Sequence, residues 1–315
     1  MKRRLITLFS IAFIAIVAFG QEQSPSPQNN DQEKVGVNVN WVRTDILITE
    51  RNGKPVLGLK KEDFLVSDNE KPQEILQLDS GPLPLSIFLV FDQSGSTKLF
   101  LKQQKKIFRD FLSLLSQNDE LAVVGFDTDA RIFCPLSSDL SCEKNLFSNL
   151  ENTGGGTNLQ AGLDAGIEIL KRVPNSRRKV VIFISDDEQS PSLDIDNNYL
   201  IKRATKNSIA IFNVLIGENS SPSSFSAKGP GRIFLEQITA VSGGAIIRAQ
   251  DGTRPTKELA LIINQLKHTY SIFYKPTGEK TGELHKVVIE LKDNPRPAPF
   301  FRKKYKVFAR KEYYF

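Results

Sequence analysis

Three short segments of this 315-residue chain bring together side chains that offer hard oxygen atoms. Phe91-Asp92-Gln93-Ser94-Gly95-Ser96 follows directly on the apolar run Leu85–Phe91, and Gly154-Gly155-Gly156-Thr157-Asn158-Leu159 opens a stretch with helical spacing. Ile184-Ser185-Asp186-Asp187 ends a second apolar run. Carboxylates and hydroxyls of this kind suit a small divalent cation, which takes about six oxygen ligands and keeps water where the protein supplies fewer. The alternative is local: Ser94, Ser96 or Thr157 capping the helix that follows. Any one of them taken alone fits a cap better, whereas all three together with two strand-end aspartates fit a metal better. Asp127 and Asp129 form another acidic pair, which a hairpin turn explains well.

The elements that must position these segments are legible from periodicity. Leu85–Phe91 and Val180–Ile184 are nearly all apolar, as strands buried on both faces of a parallel sheet are. Leu101–Leu115 places Ile107, Phe108, Phe111, Leu112 and Leu115 on one helical face, and a further helix follows Thr157. Leu121–Phe126 reads as a strand with Arg131–Cys134 as its hairpin partner. Strands over 209–216 and 245–248 alternate with helices near 199–204, 234–241 and 258–266. The fold class is therefore α/β, a doubly wound and mostly parallel sheet with helices on both faces. Ligands of such sheets sit at the carboxyl ends of the strands. Outside this region the pattern is β. Val37, Val39 and Trp41, then Ile46 and Ile48, and Phe64–Val66 precede it, and 270–274, 286–291 and 305–309 follow. These end segments are expected to pair with one another as a small β module.

The region 83–268 resembles a von Willebrand factor A domain. Asp92, Ser94 and Ser96 match that family's Asp-x-Ser-x-Ser element, Thr157 its second loop and Asp186 its third. The resemblance implies a Rossmann-like sheet and a metal-ion-dependent adhesion site made of these five residues. It also implies Mg²⁺ as cofactor, with Mn²⁺ or Ca²⁺ as alternatives, and a protein partner whose carboxylate completes the coordination. The family usually carries Gly after the third-loop Asp. Asp187 stands there instead, which puts the loop's path in doubt and adds a charge that would weaken an anionic ligand or favour Ca²⁺. A less specific likeness, through Asp63-Phe64-Leu65-Val66-Ser67-Asp68-Asn69, is to bacterial exported proteins of the same family. The expected function is binding in adhesion or in envelope protein–protein contacts, with no catalytic residue. A Mg²⁺ phosphohydrolase of haloacid dehalogenase type is the enzymatic alternative, but it needs a general acid where Ser94 stands. A metal-free scaffold is the third reading.

Lys2, Arg3 and Arg4, then the fifteen-residue, largely apolar stretch Leu5–Phe19, then Ala18-Phe19-Gly20, have the parts of a secretory signal peptide. Cleavage is expected near Gly20-Gln21, giving a periplasmic or extracellular protein without a membrane span in the mature chain. A retained anchor is the alternative. Removing the three basic residues lowers the net charge from +6 to +3, and an exported chain rarely meets nucleic acid, so no nucleic-acid partner is expected. Residues 21–36 are polar and rich in Pro, Ser and Gln, a flexible tether. The domain plan is thus 1–20 signal, 21–36 linker, 37–82 β segment, 83–268 α/β domain and 269–315 β segment. Cys134 and Cys142 are the only cysteines. In an oxidising compartment they can close a small loop, with two unpaired thiols as the alternative.

Overall fold

The computed structural model describes residues 41–139, 154–188, 196–216, 229–248, 255–277, 282–292 and 305–315. The signal, the tether and the strand start at Val37 and Val39 lie outside these residues, as does Cys142. Among the described residues no helix is long and apolar enough to cross a membrane.

The central element is β5, Leu85–Asp92, every residue of which is buried. It pairs in parallel with β6, Glu120–Phe126, on one side and with β8, Arg178–Ser185, on the other. Beyond β6 runs β7, Ala130–Ser137, antiparallel to it. Beyond β8 come β9, Ile209–Leu215, and β10, Ile246–Arg248, both parallel. The sheet order is thus β10-β9-β8-β5-β6-β7, the mostly parallel sheet expected.

Helices cover both faces. Helix α1, Leu101–Leu112, and helix α5, Pro255–Lys267, pack Phe108, Phe111, Ile262 and Leu266 against Ile87, Leu89 and Ile182. On the other face lie α2, Leu159–Leu170, α3, Asn197–Lys206, and α4, Pro230–Ser242. They press Leu163, Ile167, Leu200 and Phe234 onto Phe88, Val90 and Phe183. α1 is shorter than its periodicity suggests. It ends at Leu112, and Leu115 turns back to bond the carbonyl of Leu112 at 3.3 Å.

The chain ends supply the small β module. β1, Val42–Glu50, lies between β11, Tyr270–Tyr274, and β13, Tyr305–Ala309, with β4, Ile75–Asp79, beyond β11. β12, Leu284–Leu291, pairs with β2, Phe64–Asp68, and with β14, Glu312–Tyr314. β2 also pairs with β3, Lys71–Gln73. The two four-stranded sheets share one apolar cluster that includes Ile46, Ile48, Phe64, Val66, Ile272 and Val287. Asp68 sits inside this module, where it accepts from Tyr274 at 3.0 Å and from Tyr313, and meets His285 at 2.7 Å.

α2 can approach the sheet because Gly166 has no side chain. A Cβ there would stand 2.8 Å from the ring of Phe88 and 3.2 Å from Val181. Gly166→Ala is therefore expected to lose about 1–3 kcal/mol through overpacking. Urea unfolding measured against wild type checks this, and equal midpoints would show that the interface has slack.

Candidate functional site

β5 and β8 run in parallel register with Phe91 opposite Ile184. Asp92 therefore ends one strand, and Asp186 stands one residue past the end of its neighbour. On the other side Asp92 is level with Phe126, so Asp127 follows one residue beyond β6. The strand order reverses around β5, since β6 and β7 lie to one side and β8 to β10 to the other. The crevice that opens at such a reversal is where open α/β sheets bind ligands.

The first loop is wound tightly on Asp92. Its Oδ1 accepts from the Ser94 amide at 2.9 Å and from the Ser94 hydroxyl at 2.5 Å. Ser94 Oγ lies 3.1 Å from Ser96 Oγ. Ser94 and Ser96 bracket the start of a short 3₁₀ helix, Gly95–Phe100, and Ser94 makes no side-chain cap to it. Thr97 Oγ1 donates to the carbonyl of Asp92 at 2.9 Å, and Gln104 of α1 donates to the same carbonyl at 2.7 Å.

The second loop abuts the first. The Gly95 amide donates to the Gly155 carbonyl at 3.1 Å, which brings 154–157 beside the serine loop. Gly155 also passes close to Asp127, where a Cβ would meet the carboxylate at 3.4 Å. Thr157 is buried, and it is not the cap of α2. Asn158 caps that helix by accepting from the Ala161 amide at 2.8 Å. Asp127 makes the expected turn by accepting from the Asp129 amide at 3.1 Å, and it pairs with Arg131 at 2.5 Å. Its carbonyl also holds the Asn158 amide at 2.7 Å, a support for the second loop that the turn reading did not include.

Asp187 stands where the family resemblance implies Gly, and its φ of 60° is in the left-handed region that Gly adopts freely. Aspartate is among the few other residues that tolerate this region, because its short side chain bonds locally. The backbone path that Gly would allow is therefore kept. Nor does the Asp187 charge simply add to the metal loops. Its carboxylate pairs with Arg232 of α4 at 3.0 Å, both groups being buried, and Glu236 stands 3.9 Å from the same guanidinium.

The electrostatics of the crevice are unfavourable without a cation. Burial and the neighbouring Asp186 push the Asp92 carboxyl up to about 8. Its Oδ2 is buried and has no hydrogen-bond partner. Glu188 is also raised, by burial and then by Asp186. Among the described residues no group of three or more His, Cys, Asp or Glu is placed to hold a metal ion. Cys134 is buried on β7.

Residues 87–189 match the family model of the von Willebrand factor type A domain. Over that stretch the α/β region is similar to a von Willebrand factor type A domain. Among solved structures, a von Willebrand factor type A protein from Catenulispora acidiphila is similar at 13% identity and a TM-score of 0.50. That likeness covers 88% of this chain and 74% of the other. BatB from Bacteroides thetaiotaomicron shares 16% identity at a TM-score of 0.47, over 58% of this chain and 98% of its own. Proximal thread matrix protein 1 from the mussel byssus, with a zinc-occupied MIDAS motif, shares 18% identity at 0.45, over 59% of this chain and 48% of its own. No curated protein matched the chain by sequence.

Sequence reading missed Thr97, Gln104 and Arg232. Gln104 had a signal: it is a polar residue one turn before Ile107 and Phe108, on the buried face of α1. For Arg232 the partner is distant in sequence and no spacing points to it. Asp187→Asn keeps the left-handed backbone and removes the charge that faces Arg232. The expected loss is about 3 kcal/mol, the cost of stranding one partner of a buried pair. Asp187→Asn combined with Arg232→Met should recover most of it. A double-variant cycle by chemical denaturation measures the coupling, and additive losses would show that the pair is idle.

Proposed function

We propose that Asp92, Ser94, Ser96, Thr157 and Asp186 hold a divalent cation, Mg²⁺ first, and that the protein binds a protein partner through it. Support comes from the carboxylate oxygen of Asp92, which is buried and unpartnered beside a second strand-end aspartate. Buried charge of one sign without a counter-charge is costly, and a cation removes that cost. The two serine hydroxyls, 3.1 Å apart, add neutral donors beside it.

When bound, the cation would supply a Lewis-acidic point at which an anionic oxygen can dock, because two carboxylates and three hydroxyls fill five of its about six positions. The chain's own part is to hold the loops still. Thr97 and Gln104 fix the Asp92 carbonyl, Gly95 ties the serine loop to the glycine loop, and Arg232 turns the Asp187 charge aside. Recognition of a partner carboxylate is the reading that this arrangement favours. Export to the periplasm or beyond belongs to the same proposal and rests on the basic and apolar parts of residues 1–20. So does a Cys134–Cys142 bridge, which a thiol count under denaturing conditions checks. No free thiol is the expected result.

Calorimetry with the mature chain and MgCl₂ or MnCl₂ tests the cation. Saturable binding and a higher melting temperature are expected in wild type. Asp92→Asn, which keeps the shape and removes a charge, should fold at least as well without metal and show no metal response. A metal isotherm unchanged in that variant would refute the site. For the partner, capture from envelope extract should depend on Mg²⁺ and be lost both with chelator and in Asp92→Asn. Capture that survives in both would place recognition elsewhere.

A further inference from the structure

At the opposite end of the parallel sheet, where β8 and β9 begin, a cavity of about 60 Å³ separates the α/β domain from β1 and β13 of the β module. It holds about five waters' worth of space, the size of one small polyatomic ion. Arg43, Arg178, Lys179 and Arg310 line it, and Asp45 is the single acidic residue among its described lining.

Arg43 takes up that carboxylate. It binds Asp45 through two parallel hydrogen bonds, of 2.9 and 3.0 Å, and Ser271 donates a third at 2.7 Å. Lys179 and Arg310 meet neutral partners, and Arg178 shares Asp45 with Arg43. Lys179 is buried and donates to the side-chain oxygen of Asn175 at 3.0 Å. Arg310 donates to Thr44 and Ser208, each at 3.3 Å, and to the Arg43 carbonyl at 2.5 Å, and it stacks on Tyr313. Arg178 is 3% exposed and gives its terminal nitrogens to the carbonyls of Leu266 and Thr269. Its Nε is buried without a hydrogen-bond partner, with Asp45 Oδ2 at 3.7 Å.

Four cations in one half-enclosed space thus share a single carboxylate, an excess of positive charge, and buried charges in folded proteins are paired or bound to ions. From this excess and the cavity's size we infer that it binds a compact multiply charged oxyanion of the phosphate class. Arg178 Nε has no hydrogen-bond partner and the terminal nitrogens of Arg310 each carry a second N–H, so both can donate to such an ion, and Lys179 adds a point charge. The bound anion would tie β8 of the α/β domain to β1 and to the end of β13. It would do so at the end of the sheet remote from Asp92 and Asp186, so this inference does not depend on the metal reading.

Thermal unfolding of the full chain in inorganic phosphate, against chloride at matched ionic strength, tests it, with calorimetry for affinity. Phosphate should raise the melting temperature where chloride does not. Lys179→Gln removes one of the unpaired charges. Without phosphate it should melt at or above wild type, and it should bind phosphate about tenfold more weakly. Arg310→Lys keeps the charge but loses the fork, and it is expected to weaken phosphate binding in the same direction. It carries the test if Lys179→Gln does not fold. Phenyl phosphate distinguishes the source. Binding tighter than that of the free ion points to a phosphate group on a larger molecule, and weaker binding points to the ion itself. Equal effects of phosphate and chloride, or variants that respond as wild type does, would overturn the inference.

Discussion

Two carboxylates that repel each other in a water-poor crevice define this molecule. Asp92 ends a strand buried along its whole length, and Asp186 follows the end of the strand beside it. Parallel register leaves neither free to move away. Apolar side chains on both faces hold the two strands in place, and an oxygen of Asp92 has no partner of its own. A bound cation, as proposed for these loops, would offset that cost.

The surrounding loops answer that constraint. Their hydrogen bonds run inward, onto Asp92 and onto one another, so the hydroxyls of Ser94 and Ser96 are held without having to cap a helix. The glycine loop reaches the same place because its backbone can lie against Gly95 and Asp127. Asp187 shows how one departure from the family pattern is absorbed. It adopts a left-handed backbone that glycine takes freely, and its carboxylate faces Arg232.

Most of the sheet was legible in the sequence because strands buried on two faces leave continuous apolar runs. The end segments of the chain were legible through alternation. β3 and β14 were not, being three residues each and too short to carry a period. At the site, residue types announced Asp92, Ser94, Ser96, Thr157 and Asp186 as candidates. What sequence could not decide was whether the hydroxyls serve as caps. That depends on Asn158 standing one residue after Thr157 and taking the cap itself. The Asp187–Arg232 pair and the cationic cavity were hidden for a common reason, since both join residues far apart in the chain.

The two strand-end carboxylates are proposed to share a cation. A crystal structure of the mature protein grown with MnCl₂ and measured at the manganese absorption edge tests this proposal most directly. One strong anomalous peak bounded by Asp92, Ser94, Ser96, Thr157 and Asp186 is expected. Saturating manganese with no peak there, or with its strongest peak elsewhere on the chain, would contradict it.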